Sequence, residues 1–144
     1  MRGRLAEDLL HLPVRLRGIQ LGRPVELLLD LTGGRVHGFD VLCGDEVHRF
    51  LPIAAVTARD DELAVSSALT MLDERELAFY RDRATTLGAL RGAELERDGT
   101  AVGTLRDVVV GEGGVFAAVV AEPGGIERTL EPGGGLRLAT ASAA

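Results

Sequence analysis

The chain has 144 residues, carries 16 basic against 22 acidic side chains for a net charge of -6, and is 46% hydrophobic but only 3% aromatic. That is enough apolar material for one ordinary domain or two very small ones, and it excludes a disordered composition and a strongly basic nucleic-acid footprint. The longest apolar stretches, over 25–31 and 115–121, fall far short of the roughly 20 residues that span a bilayer. A leader over 9–13 is too short and broken for a signal-peptide core, so the chain is expected to stay in the cytoplasm without membrane insertion. One cysteine, Cys43, excludes an internal disulfide and agrees with a reducing compartment. Every basic residue is arginine, and neither Lys, Asn nor Trp occurs, a usage associated with GC-rich bacterial genomes.

Taken in chain order, short runs rich in Val and Leu are punctuated by Gly and Asp turns, which is the pattern of strands. Strands are predicted over 14–16, 23–30, 35–42, 47–51, 54–58 and 63–65. From Ser67 to Ala84 the texture changes, with no Gly or Pro, and this predicts the one helix of the chain. Thr70 is read as its cap, with Asp73 and Glu74 near the positive end of the helix dipole and Arg81 and Arg83 near the negative end. Leu77, Tyr80, Ala84 and Leu87 recur at helical spacing and give one apolar face. Further strands are predicted over 94–97, 101–110, 115–121, 126–130 and 136–139, before a frayed tail of small residues over 139–144.

The chain repeats itself. Arg17-Gly18-Ile19-Gln20-Leu21-Gly22 falls on Asp98-Gly99-Thr100-Ala101-Val102-Gly103 at an offset of 81, which also brings Val14 onto Leu95 and Leu27, Leu28 and Leu29 onto Val108, Val109 and Val110. After the Gly33-Gly34 and Gly113-Gly114 turns the offset slips by a residue or two. His48-Arg49-Phe50-Leu51 then meets Glu127-Arg128-Thr129-Leu130, with a proline shortly after each. The period is about 80 residues. Asp98-Gly99 is the strongest hairpin signal in the chain. Gly18 and Gly99 are read as turn glycines, while Gly22 and Gly103, each after an apolar residue, permit a bulge or a close backbone approach.

This order of features, seen twice, resembles the PRC-barrel family, named for the cytoplasmic part of the photosynthetic reaction-centre H subunit and found also in a ribosome maturation factor. The resemblance rests on Leu12-Pro13-Val14, Gly18 and Gly22, Gly33-Gly34 and Leu51-Pro52-Ile53 in the first copy. In the second it rests on Gly92, Gly99 and Gly103, Gly113-Gly114 and Leu130-Glu131-Pro132. It implies a mainly β fold of two tandem small PRC-like β-barrels joined by one α-helix, over 1–66, 67–86 and 87–144, each barrel closed and built from about six strands. Barrels this small are near the lower size limit for independent stability, so the copies are expected to pack on each other, with the helix between them, or to form a homodimer. One continuous core through both halves, or a deep hollow lined with converging charged groups, would end the reading of two such barrels. The implied function is non-enzymatic: an adaptor or assembly module for protein–protein interaction or self-association. The alternatives are a ribosome-assembly accessory protein that binds a ribosomal protein through its barrel and, with less support, a small ligand-binding barrel.

No residue cluster argues for catalysis or for a cofactor. His37, Cys43 and His48 invite a metal hypothesis, but they are only three ligands and show no zinc spacing, so packing or surface exposure is preferred. Ser66, Ser67 and Ser142 lie in no nucleophile setting, and Asp60-Asp61-Glu62 is read as a solvated turn. The glycines at 18 and 22 are followed by no helix that could hold a phosphate. Residues 1–72 carry 8 Arg and 10 acids and residues 73–144 carry 8 Arg and 12 acids, so neither half favours direct nucleic-acid contact. Phe79, Tyr80, Arg81 and Arg83 are the candidate interface, since Tyr and Arg are typical anchors and adjacent aromatics cannot share one helix side. The competing reading is internal packing, with Tyr80 on one barrel and Phe79 on the other.

Overall fold

The computed structural model describes residues 3–131 and 135–139. In chain order it contains β1 (Arg4–Leu5), α1 (Ala6–Leu10), β2 (Val14–Leu16), β3 (Ile19–Asp30), β4 (Arg35–Cys43), β5 (His48–Pro52), β6 (Thr57–Ala58) and β7 (Leu63–Val65). These are followed by α2 (Glu74–Arg83), β8 (Thr85–Thr86), α3 (Leu87–Leu90), β9 (Glu94–Arg97), β10 (Thr100–Val110), β11 (Phe116–Ala121), β12 (Glu127–Leu130) and β13 (Leu136–Leu138). The protein is mainly β, with two sheets. In the first the strands run β5-β4-β3-β2-β7-β6, with β8 added on β3; in the second they run β12-β11-β10-β9-β13, with β1 added on β10.

The repeat is visible in detail. Leu21 bulges out of the β2–β3 ladder where Val102 bulges out of β9–β10, and Val25 does so in β3–β4 where Arg106 does in β10–β11. Both tight hairpins place two residues at positive φ, Arg17-Gly18 and Asp98-Gly99, as a primed two-residue turn requires. At the first bulge a Cβ on Gly22 would lie 2.5 Å from the Leu42 carbonyl oxygen, and one on Gly103 would lie 2.8 Å from that of Ala121, so bare glycine lets the strands bend into contact. His37 is an extra residue in β4, squeezed out between the Leu28–Gly38 and Leu29–Val36 pairs. It accounts for part of the slip in the repeat offset.

The two copies are interlocked. Arg4 and Leu5 of the first copy pair with Val110 and Val109 of the second sheet, and Thr85 and Thr86 of the second copy pair with Leu29 and Leu28 of the first. At the repeat offset these are the same pairs with the copies exchanged. The exchange includes the helices: Glu7 N–H donates to the Asp107 carboxylate at 3.4 Å, and Gly88 N–H donates to the Glu26 carboxylate at 3.1 Å. Arg35, at the start of β4, bridges Val115, the residue just before β11 and its counterpart in the second copy. A residue paired antiparallel with its own counterpart lies on a two-fold axis, and an internal two-fold therefore passes between the Gly33-Gly34 and Gly113-Gly114 turns.

Ala6 and Leu9 of α1 and Leu87 and Leu90 of α3 are fully buried, and they join Leu27, Leu29, Phe39 and Leu51 of the first sheet to Leu105, Val108, Phe116 and Val120 of the second in one continuous core. Each buried leucine contributes about 1.5–3 kcal/mol.

Several sequence expectations change. Neither sheet closes into a barrel among the described residues, because β5 and β6, and likewise β12 and β13, end their sheets without meeting. The halves share one core in place of two self-contained ones, since each is completed by a segment of the other. There are three α-helices in place of one, two of them too short to leave a periodic pattern. Ala54 and Ala55, expected within a strand, belong to a 3-10 turn over 53–55 after Pro52, and of the expected strand only Thr57–Ala58 pairs. Pro132, the two glycines after it and the tail beyond Ala139 lie outside the described residues.

Because the core is shared, Gly22→Val and Gly103→Val should each lower one common unfolding transition, by about 2–3 kcal/mol. Urea unfolding followed by circular dichroism measures this. A second transition split off by either variant would contradict it.

Candidate functional site

Helix α2 starts where Asp73 caps it, its carboxylate accepting from the backbone N–H groups of Arg75 and Glu76. Thr70, the expected cap, instead ends a 3-10 turn that Ser67 caps. The helix does not lie between the halves. Leu77, Tyr80 and Ala84 pack on Leu28 and Phe50, forming a second, small core on the outer face of the first sheet. The Tyr80 ring stacks on Phe50 with centroids 4.1 Å apart and planes inclined by 15°. Just before the helix, Leu72 adds a residue of strand to the edge of β5: its N–H donates to the Phe50 carbonyl at 2.8 Å and its carbonyl accepts from Phe50 at 2.9 Å.

A buried carboxylate anchors this contact. Asp40 is 2% exposed and sits mid-strand between Phe39 and Val41. One of its oxygens accepts from the Arg81 guanidinium and the other from His48 Nδ1 at 2.7 Å. Burying a carboxylate is tolerable only with such partners, so the pair fixes where α2 lies along the sheet. His37 brings its ring within 5.7 Å of the Tyr80 ring, between centroids.

The four candidate interface residues therefore divide into two pairs. Tyr80 packs on Phe50, and Arg81, half exposed, reaches back to Asp40, so these two hold the helix. Phe79 and Arg83 face outward: Phe79 is 46% exposed, and the Arg83 guanidinium lies 3.7 Å from its ring centroid while donating to the Phe79 carbonyl at 3.1 Å. Phe79 also meets Tyr80 edge-on at 5.3 Å. It does not cover the second half, contrary to the packing reading. Sequence reasoning missed Asp40, although a lone charge inside an apolar strand run is a signal that something pairs with it.

The three residues of the metal hypothesis do not converge. His37 faces Tyr80, His48 is held by Asp40, and the Cys43 thiol points to the Val41 carbonyl at 3.8 Å. Among the described residues no group of three or more His, Cys, Asp or Glu side chains is placed to hold a metal ion. Two equivalent clefts flank the bulge glycines, one of about 400 Å³ beside Gly103 and Arg128 and one of about 440 Å³ beside Leu21, Cys43 and Arg49. Arg128 is paired with Glu122 in the first, which Arg106 also lines, and Arg49 is paired with Asp45 in the second through two hydrogen bonds of 2.8 and 2.9 Å. The Arg49 hydrogen bonds hold the Asp45 carboxyl down at about 2. No helix among the described residues is long and apolar enough to cross a membrane. Searches with protein-family models and among curated proteins found no match to the chain.

Removing the anchor should loosen the helix. Asp40→Ala is expected to cost about 1–2 kcal/mol, a modest figure because Arg81 and His48 are each near half exposed. It should also speed amide exchange through 74–83 about tenfold. Unchanged exchange in that helix would show that Asp40 does not hold it.

Proposed function

We propose that the chain is a non-enzymatic, cytoplasmic adaptor built from two copies of a PRC-type unit, joined by the segment that carries α2, and that it docks on another protein. The matched hairpins and bulges of the two halves support the duplicated unit. The observation on which the docking function rests is the Phe79–Arg83 pair. A phenylalanine left nearly half exposed under a guanidinium, on a helix that Asp40, Tyr80 and Arg81 hold rigidly, loses little freedom on binding and gives a partner a flat apolar surface rimmed by charge. Around it on the helix Glu76 and Asp82 alternate with Arg75 and Arg83, so the partner surface that fits is apolar with a rim carrying charges of both signs.

Site-specific photocrosslinking in cells tests this. With p-benzoylphenylalanine in place of Phe79, discrete protein adducts should form. The same probe in place of Val25, equally exposed but on a bulge of β3, should give none. No adduct at 79, or the same adducts at both positions, would overturn the proposal.

A further inference from the structure

The internal two-fold gives each half the same outer face, but among the described residues a helix covers only one of the two. In the first sheet that face presents Leu28, Gly38, Asp40 and Phe50, related through the pairs Leu28–Gly38 and Asp40–Phe50. Leu28 and Phe50 are fully buried beneath α2, and both backbone groups of Phe50 at the sheet edge are bonded to Leu72. The same ladder positions in the second sheet hold Val109, Ala117, Val119 and Thr129, through the pairs Val109–Ala117 and Val119–Thr129. Here Val109, Ala117 and Val119 are only partly buried and Thr129 is exposed. β12 is the outermost strand of its sheet, and among the described residues no strand pairs with its outer edge.

We propose that this face and edge form a second docking site, which takes a segment of another polypeptide that runs from one extended apolar residue into an amphipathic helix. The covered half shows the chemistry of the occupant: Leu72 on the edge, then Leu77 and Tyr80 on the face. An open edge supplies unpaired N–H and C=O groups that an incoming strand residue satisfies, and the adjoining apolar strip supplies the free energy of burial. The symmetry also sets the polarity. α2 runs on through Ala84 into β8, whose counterpart is β1, and Gly3, the counterpart of Ala84, lies against Val109. The guest helix therefore ends beside Gly3 and begins beside Thr129. One difference between the halves tunes its sequence. Val119 stands where Asp40 holds Arg81, so the guest carries an apolar residue at the position of Arg81. This site is separate from the Phe79–Arg83 surface and does not depend on it.

A labelled synthetic peptide of residues 67–84, added to the full chain and followed by fluorescence anisotropy, probes the site directly. Saturable one-to-one binding is expected, and a peptide with Arg81→Leu should bind more tightly by about threefold or more, because it meets Val119. Val119→Asp in the full chain should weaken binding about tenfold, as should Thr129→Pro, which removes the edge N–H. Should either variant fold poorly, hydrogen exchange on the unaltered chain decides: the peptide should slow exchange at Thr129 and leave Phe50 unchanged. No saturable binding would overturn the proposal, as would protection at Phe50 in place of Thr129, or self-association of the chain abolished by Val119→Asp. Loss of adducts from position 79 with intact peptide binding would sink only the reading of the first surface.

Discussion

Each half of this protein is finished by a piece of the other. The two-residue strands β1 and β8 are too short to stand alone, yet each opens a copy of the repeat by pairing with the long central strand of the opposite sheet. The short helices behind them bury Leu9 and Leu90 in a core to which both sheets contribute. Opposite carboxylates, Asp107 and Glu26, receive the backbone N–H groups at the helix starts. Burial pushes the Asp107 carboxyl upward, while its backbone hydrogen bonds and Arg91 oppose the shift. A unit of some 70 residues buries too small a fraction of its surface to be secure alone. The reciprocal exchange solves that by giving both units one interior, and it covers part of the edge of each central strand.

The exchange also explains what the outside of the molecule can do. With the interior shared and filled, the clefts left over are open to the surface, and Arg128 and Arg49 in them are paired with neighbouring carboxylates. The chemistry that differs between the copies is all on the outer faces. One copy has a bulged histidine, a buried carboxylate and a phenylalanine beneath α2. The other has valines, an alanine and a threonine at the matching places. Two copies that share the plan of their four central strands and one interior, but differ in surface and in the last strands, parallel β7 on β2 against antiparallel β13 on β9, are suited to contacting two different neighbours.

Much of the plan was legible from the amino acids. The strand runs, the Asp98-Gly99 hairpin, the bulge glycines and the 81-residue offset each correspond to something in the fold, because they depend on local backbone geometry. The offset reaches further than its sequence identity suggests: carried back to the start of the chain it places Ala6 and Leu9 on Leu87 and Leu90, the buried residues of the two short helices. Four or five helical residues leave too brief a pattern to read, and the partner of a two-residue strand is chosen by tertiary contact alone, so the interlocking was invisible. The same holds for Asp40. Its burial is paired with Arg81, which is 41 residues away in the chain, and no local spacing connects them. Helix α2 was legible as a helix, but the face on which it lies was not, because that depended on the carboxylate.

Cross-strand proton contacts measured by nuclear magnetic resonance test the interlocking most directly. Contacts from Arg4 to Val110 and from Thr85 to Leu29 should both appear in a monomeric sample, at the intensity of ordinary antiparallel neighbours. If instead Arg4 meets Leu29 and Thr85 meets Val110, each copy completes itself and the shared interior does not exist.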